Sequence, residues 1–164
     1  MFCLEVSSVL PLLRTSTHPQ WLLDALKELA PNANVEVTAK AGYTPEGVDV
    51  GDAWVQSNKD LNVVVGINDA GVLGVYESFK SAGIKNDKLG MFGGDAVDDA
   101  LAAIEEGGAF KATVSTNMLK NANYFIDMAV ELAKNGKLEE REKLFPLEGI
   151  TADNVAEYKK SIEE

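Results

Sequence analysis

The sequence predicts an α/β fold of the doubly wound kind, a parallel sheet of about five strands with helices on both faces. Three observations carry that expectation. Short β-branched runs alternate with amphipathic stretches of helical period; Gly, Asn, Asp and Pro punctuate the boundaries between them; and one run, Val63-Val64-Val65, is continuously apolar, as suits a strand covered on both faces. Strict alternation implies right-handed crossovers and a parallel sheet, and function then belongs at the carboxyl ends of the strands.

Taken in order, residues 6–12 read as a first strand. Thr17-His18-Pro19 opens a helix with a polar cap and a proline in the first turn, running to about Leu29 with Leu22, Leu26 and Leu29 on its inner face. Residues 34–40 alternate as a second strand, residues 42–45 turn the chain, and residues 48–57 form a helix packing Val50, Trp54 and Val55 inward. The apolar run within residues 61–67 is the central strand. The clearest helix follows, with Val72, Val75, Tyr76 and Phe79 at helical spacing, Asn68 or Asp69 as its cap and Gly83 at its end.

Residues 89–92 are a fourth strand, and Asp95 or Ala96 starts a helix carrying Val97, Ala100, Leu101 and Ile104, stopped by Gly107-Gly108. Residues 111–115 are a short fifth strand. A long helix is expected over residues 117–135, and its apolar side chains, among them Met118, Phe125, Ile126, Val130 and Leu132, spread beyond one narrow stripe, so it wants cover on two sides. A segment through Phe145 and Pro146 reads as a short strand, and Thr151 caps a last helix stapled by Ile150 and Val155.

Bulk properties narrow the function. With 164 residues there is room for one domain with a real core, and 46% apolar and 25% charged residues are ordinary globular values. The net charge of −11 makes nucleic acid and anionic membrane surfaces poor partners. A single cysteine, Cys3, and a single histidine, His18, leave no internal disulfide and no zinc constellation, so neither metal nor cofactor is expected. Residues 1–13 lack the basic leader and apolar length of an export signal, and Cys3 reads as incidental near the terminus. There is no nucleophile elbow, no second histidine for a triad, and no phosphate-cradling glycine motif; the chain is not expected to be an enzyme. A phosphoryl-accepting signalling domain would need acids after the first strand to hold magnesium, and Leu12-Leu13-Arg14 stand there instead.

The strand ends carry Arg14 and His18, then Tyr43, Asn68-Asp69, Gly93-Gly94-Asp95, and Thr116-Asn117. Neutral amides and carboxylates suit sugar hydroxyls, each of which both donates and accepts, and an exposed aromatic such as Tyr43 covers the C–H side of a sugar ring. The competing reading is local: Asn68, Asp69, Asp95 and Asn117 all fall where helix caps belong, and capping alone selects Asn or Asp.

The segments Val65-Gly66-Ile67-Asn68-Asp69-Ala70-Gly71-Val72-Leu73-Gly74 and Phe92-Gly93-Gly94-Asp95, followed by Lys111-Ala112-Thr113-Val114-Ser115-Thr116-Asn117, resemble the second half of ribose- and galactose-type periplasmic sugar-binding proteins. That half reads approximately as an apolar strand, "xxNDxxALG", a helix, "GxDG", a helix ending in "DG", then "xATV" and a polar residue. Order and spacing agree from about Val9 onward. The resemblance implies a type I periplasmic-binding-protein lobe, a flavodoxin-like three-layer sandwich, that binds a sugar for an ABC-type transporter permease outside the cytoplasm. It assigns hydroxyl hydrogen bonding to Asn68 and Asp95, and to Thr116 or Asn117 at an interlobe hinge. An arginine clamp of the family falls near His18, with Arg14 upstream as a substitute, and the stacking aromatic is Tyr43, with Gly42 as the formal match.

The resemblance also implies that residues 1–164 form the second lobe of a two-lobed protein, with an amino-terminal lobe absent, and that residues 117–150 cross back to that first lobe. A lone lobe should bind sugar weakly. Two other readings stand beside it: a homo-oligomer held through the 117–135 helix, and the effector-binding lobe of a sugar-responsive transcription regulator, whose DNA-binding headpiece is not seen here.

Overall fold

A computed structural model describes the backbone of residues 2–5, 17–57, 61–84, 88–118, 121–140 and 144–163. Among the described residues twelve elements alternate: β1 (Phe2–Glu5), α1 (Thr17–Leu29), β2 (Asn34–Thr38), α2 (Thr44–Ser57), β3 (Val63–Val65), α3 (Asp69–Ser81), β4 (Gly90–Phe92), α4 (Asp98–Glu105), β5 (Phe110–Ser115), α5 (Ala122–Asn135), β6 (Glu148–Thr151) and α6 (Val155–Glu163). One sheet runs in the order β2-β1-β3-β4-β5-β6.

The expected α/β class holds, and so does the alternation. The centre of the sheet is parallel, with Val64 beside Met91 and Phe92 beside Ala112. Two strands depart from the all-parallel expectation. β6 is antiparallel to β5, pairing Ile150 with Thr113. β1 is antiparallel to both β2 and β3, pairing Cys3 with Val37 and Val64. Because β2 and β3 both oppose β1, strands β2, β3, β4 and β5 all point the same way, and their carboxyl ends share one edge. The strand expected at residues 6–12 lies outside the described residues.

The core is continuous. Val64 and Met91 are fully buried at the sheet centre, Val72, Val75 and Phe79 cover them from α3, and Ala100, Leu101 and Ile104 do so from α4. Tyr76 meets Phe110 edge-on with ring centroids 6.2 Å apart, tying α3 to the start of β5. At the far edge Ile150, Val155 and Tyr158 belong to the same cluster, which anchors α6.

Several boundaries move, each for a local reason. α2 begins at Thr44, a turn earlier than expected, because Pro45 sits in its first turn and Glu46 reaches back to accept from the Gly42 amide at 2.8 Å. Its buried face is Gly47, Gly51 and Trp54, with Val50 and Val55 packed partly against the core. α4 starts at Asp98, since Asp95 and Ala96 have φ of 106° and 57° and are not helical; Val97 is consequently half-exposed. α5 starts at Ala122, since Asn117 is also left-handed with φ of 53°. The last strand pairs at residues 148–151, just beyond Phe145 and Pro146. Leu29, expected on the inner face of α1, is 82% exposed at its final position. Among the described residues, no helix is long and apolar enough to cross a membrane.

Candidate functional site

Three backbone and side-chain hydrogen bonds lace the strand ends into one rim. The Asn68 side-chain amide donates to the Gly42 carbonyl at 2.7 Å, joining the end of β3 to the turn after β2. The Asp69 amide donates to the Gly94 carbonyl at 2.6 Å, joining β3 to the loop after β4. The Asp95 amide donates to the Val114 carbonyl at 2.8 Å, joining that loop to β5. Residues far apart in sequence thus become neighbours along the edge where a doubly wound sheet binds ligands.

At the β5 end of the rim a small cleft of about 130 Å³ is lined by Asp95, Ala96, Asp98, Ser115, Thr116, Asn117, Met118, Tyr158 and Ile162. Three of the sequence-predicted residues, Asp95, Thr116 and Asn117, therefore converge on one cavity. Asp95 and Thr116 are exposed, and Met118 adds an apolar edge at 68% exposure. Partial burial holds the Asp95 carboxyl above its ordinary value.

Asn117 is held from both ends. Its amide donates to Ser115 Oγ at 2.9 Å, and its side-chain Nδ2 donates to the Pro146 carbonyl at 3.2 Å. Its Oδ1 is buried and has no hydrogen-bond partner among the described residues. A buried acceptor without a donor costs about 1–3 kcal/mol.

Asn68 does the work of a cap. Its backbone is extended, with φ of −144° and ψ of 160°, and Oδ1 accepts from the Gly71 amide at 3.2 Å. With Nδ2 also engaged by Gly42, one side-chain N–H and one lone pair remain free to face a ligand. Tyr43, one residue beyond Gly42, is 72% exposed, as a stacking platform requires. His18 lies in the first turn of α1. Arg14 lies outside the described residues.

The sequence reading missed two features of the site. Tyr158 reaches from α6 to Ser115, the hydroxyls 2.7 Å apart, and so braces the floor of the cleft. Its spacing from Val155 and Ile162 marks it as inward-facing, but nothing in that pattern says toward a site. Asp69, by contrast, is fully buried and bonded to Thr113, where capping position alone gives no hint of depth. Among the described residues no group of three or more His, Cys, Asp or Glu is placed to hold a metal.

The doubly wound sheet thus carries a hydrogen-bonding rim and a hydroxyl-lined cleft at its strand ends. Residues 12–138 match the family model of the periplasmic binding protein domain, and the chain belongs to that family, one of binding proteins and not of enzymes. A protein of Rhizobium meliloti named for rhizopine binding is 32% identical over 69% of this chain and 36% of its own length. The D-galactose/methyl-galactoside binding periplasmic protein MglB of Haemophilus influenzae is 30% identical over 66% of this chain and 35% of its own. The chain thus spans about a third of the length of these curated relatives. Among solved structures, the myo-inositol binding protein of Caulobacter, solved with myo-inositol bound, superposes with a TM-score of 0.75 at 25% identity, over 87% of this chain and 49% of that one. A galactofuranose binding protein shares the fold with a TM-score of 0.76 over 88% of this chain and 50% of its own.

Proposed function

We propose that this chain is one sugar-contacting lobe of a solute-binding protein that serves an ABC-type transporter outside the cytoplasm. The observation that carries this reading is the convergence of Asp95, Thr116 and Asn117 on a single cleft at the strand-end edge. A carboxylate, a hydroxyl and a carboxamide are the mixed acceptors and donors that adjacent sugar hydroxyls need. Asn68 and the exposed Tyr43 extend the same rim toward β2, the first with its remaining amide hydrogen and the second with an aromatic face. The curated relatives and the solved neighbours bear names of sugar, inositol and rhizopine binding, which supports a polyhydroxylated solute as the ligand.

The cleft is one wall. Closure of a second lobe over the ligand supplies the other, and residues 117–150 form the segment that meets that lobe. α5 supports this: none of its residues is buried, and Phe125, Ile126 and Leu132 stand exposed on it. Alone, the chain therefore binds weakly.

Amide NMR titration with D-galactose, D-ribose and myo-inositol is the test. At least one of the three should shift Asp95, Thr116 and Asn117 together, with millimolar affinity. Absence of any response at these residues, or a response confined to a different surface, overturns the assignment. Micromolar affinity by calorimetry at monomer concentrations overturns the single-wall reading.

A further inference from the structure

A carboxylate that does not line the cleft sits beneath the loop that carries Asp95 into it. Asp69 is the first residue of α3 and is fully buried. The Thr113 hydroxyl donates to both of its oxygens, at 2.7 and 2.9 Å, and the Val97 amide donates to Oδ2 at 3.0 Å. Thr113 Oγ1 in turn accepts from the Ala96 amide at 3.2 Å, and the Asp69 amide donates to the Gly94 carbonyl at 2.6 Å. Gly93 lies so close that a Cβ there would run into the Asp69 side chain.

Residues 93, 94, 96 and 97 thus all bear on Asp69 or on its partner Thr113. Between them Asp95 and Ala96 take φ of 106° and 57°, a conformation that non-glycine residues hold only where their surroundings over-determine it. The Asp95 side chain is exposed, so it does not fix this backbone; the Asp95 amide, bound to the Val114 carbonyl of β5, holds the loop at one point, and Asp69 and Thr113 hold it on either side.

We propose that Asp69 is the positioning residue of this site: clamped by Thr113, it fixes the loop of residues 93–97 in the left-handed conformation that presents Asp95 to the ligand. The ligand-contacting role of Asp95 rests on the binding function proposed above. The clamp also has a titration of its own. Burial, and to a lesser extent the Asp95 charge, raise the Asp69 pKa against the lowering effect of the Thr113 hydroxyl and the Val97 and Ala96 amides, to about 6. Asp95 is the charged group acting on it; Thr113 on β5, and Val97, Ala96 and Gly93 in the loop, are uncharged. An ionised carboxylate accepts from both donors that reach it. Once protonated, one of its oxygens becomes a donor and the pair accepts more weakly, which alters the bonds from the Thr113 hydroxyl and the Val97 amide and, through Thr113, the surroundings of the Ala96 amide.

Amide NMR on the whole chain, with pH taken from well below to well above 6, reads this directly. The Ala96 and Val97 amides should titrate together with a midpoint of about 6. Thr113→Val should displace both resonances and abolish the sugar-induced shift at Asp95 while leaving that at Thr116, and Thr113→Ser, which keeps the hydroxyl, should restore the wild-type pattern. Asp69→Asn should erase the shared midpoint. The proposal is overturned if wild-type Ala96 and Val97 share no midpoint, if Thr113→Val leaves them in place, or if Thr113→Val retains the wild-type sugar response at Asp95. Should D-galactose, D-ribose and myo-inositol all leave the wild-type spectrum unchanged, the binding function fails, and the titration with the Val and Ser variants still decides whether Asp69 holds the loop. If a variant does not fold, the wild-type titration decides alone.

Discussion

Asn68 stands at a helix start and on the strand-end rim, and its hydrogen bonds serve both places. The bond from the Gly71 amide caps α3, and the bond to the Gly42 carbonyl holds the β2 turn against it. Asn68→Ala removes both and is expected to cost about 1–2 kcal/mol, within the range for lost caps. Asn68→Asp keeps the cap acceptor and adds a favourable charge at the helix start, but it turns the donor to Gly42 into an acceptor, so it should recover part of that cost. Urea midpoints of the two variants check this; equal losses would mean that the Gly42 bond, not the cap, carries the stability. Asn68 was legible in the sequence because Asn before an apolar helical period is a recognisable cap. Asp69 was not, because an acid in a first turn looks the same whether exposed or buried. Its burial has a consequence for stability. The native pKa of about 6 lies above the ordinary 3.8, so the folded state binds this proton more tightly than the unfolded state does. The stability contributed is therefore fully present below 3.8 and lost as pH rises through about 6. Subtracting the pH profile of urea unfolding for Asp69→Asn from that of wild type should give a difference that declines over that window; a difference that rises or stays flat contradicts the raised pKa.

At the scale of elements, the contact between α2 and α3 explains why one helix boundary was hidden. Gly47 on α2 faces Gly71 and Gly74 on α3, and Gly51 faces Val75 and Ser78; a Cβ at Gly47 would meet the Gly71 carbonyl while one at Gly74 would meet the Thr44 carbonyl. Read locally, Gly42 and Gly47 around Pro45 suggest a turn; in the fold, Gly47 is where two helix backbones approach closely. Periodicity finds apolar faces, but a face made of glycine is invisible to it. Gly74→Ala is expected to destabilise by about 1–3 kcal/mol, as overpacking does, because backbone atoms cannot step aside. Gly149→Ala on β6 meets nothing within 4 Å and should be neutral or slightly stabilising. Thermal unfolding of the pair checks this, and equal effects would show that α2 and α3 separate easily. The starts of α4 and α5 slipped for a related reason: Ala96 and Asn117 adopt left-handed backbone that their neighbours impose, and residue type does not announce it.

For the molecule as a whole, the alternation of strands and helices and the common edge of β2 to β5 were legible, because parallel crossovers leave a repeating sequence pattern. The antiparallel entry of β1 was not, since four residues carry no directional signal. What the pattern did foretell is the condition of α5. Tyr124, Phe125 and Phe145 gather in a small aromatic cluster, with centroids 5.3 to 6.3 Å apart, which fastens α5 to the segment leading to β6 but leaves its other face open. Ile126 and Leu132 remain 61% and 50% exposed, and Met118 and Leu147 extend the apolar surface beyond the helix. Under the function proposed above a second lobe covers this surface; the competing reading is cover by another copy of this chain. Replacing Ile126 and Leu132 with lysine separates these. Neither side chain belongs to the core, so the thermal midpoint should hardly move. If copies of the chain cover the face, wild type will show concentration-dependent mass by light scattering and the double variant will be monomeric. If a lobe covers it, wild type will already be monomeric and will bind an apolar dye that the variant does not. A monomer that binds no dye would mean that the face is closed by the chain's own residues, and residues 117–150 would not be the segment that meets a second lobe.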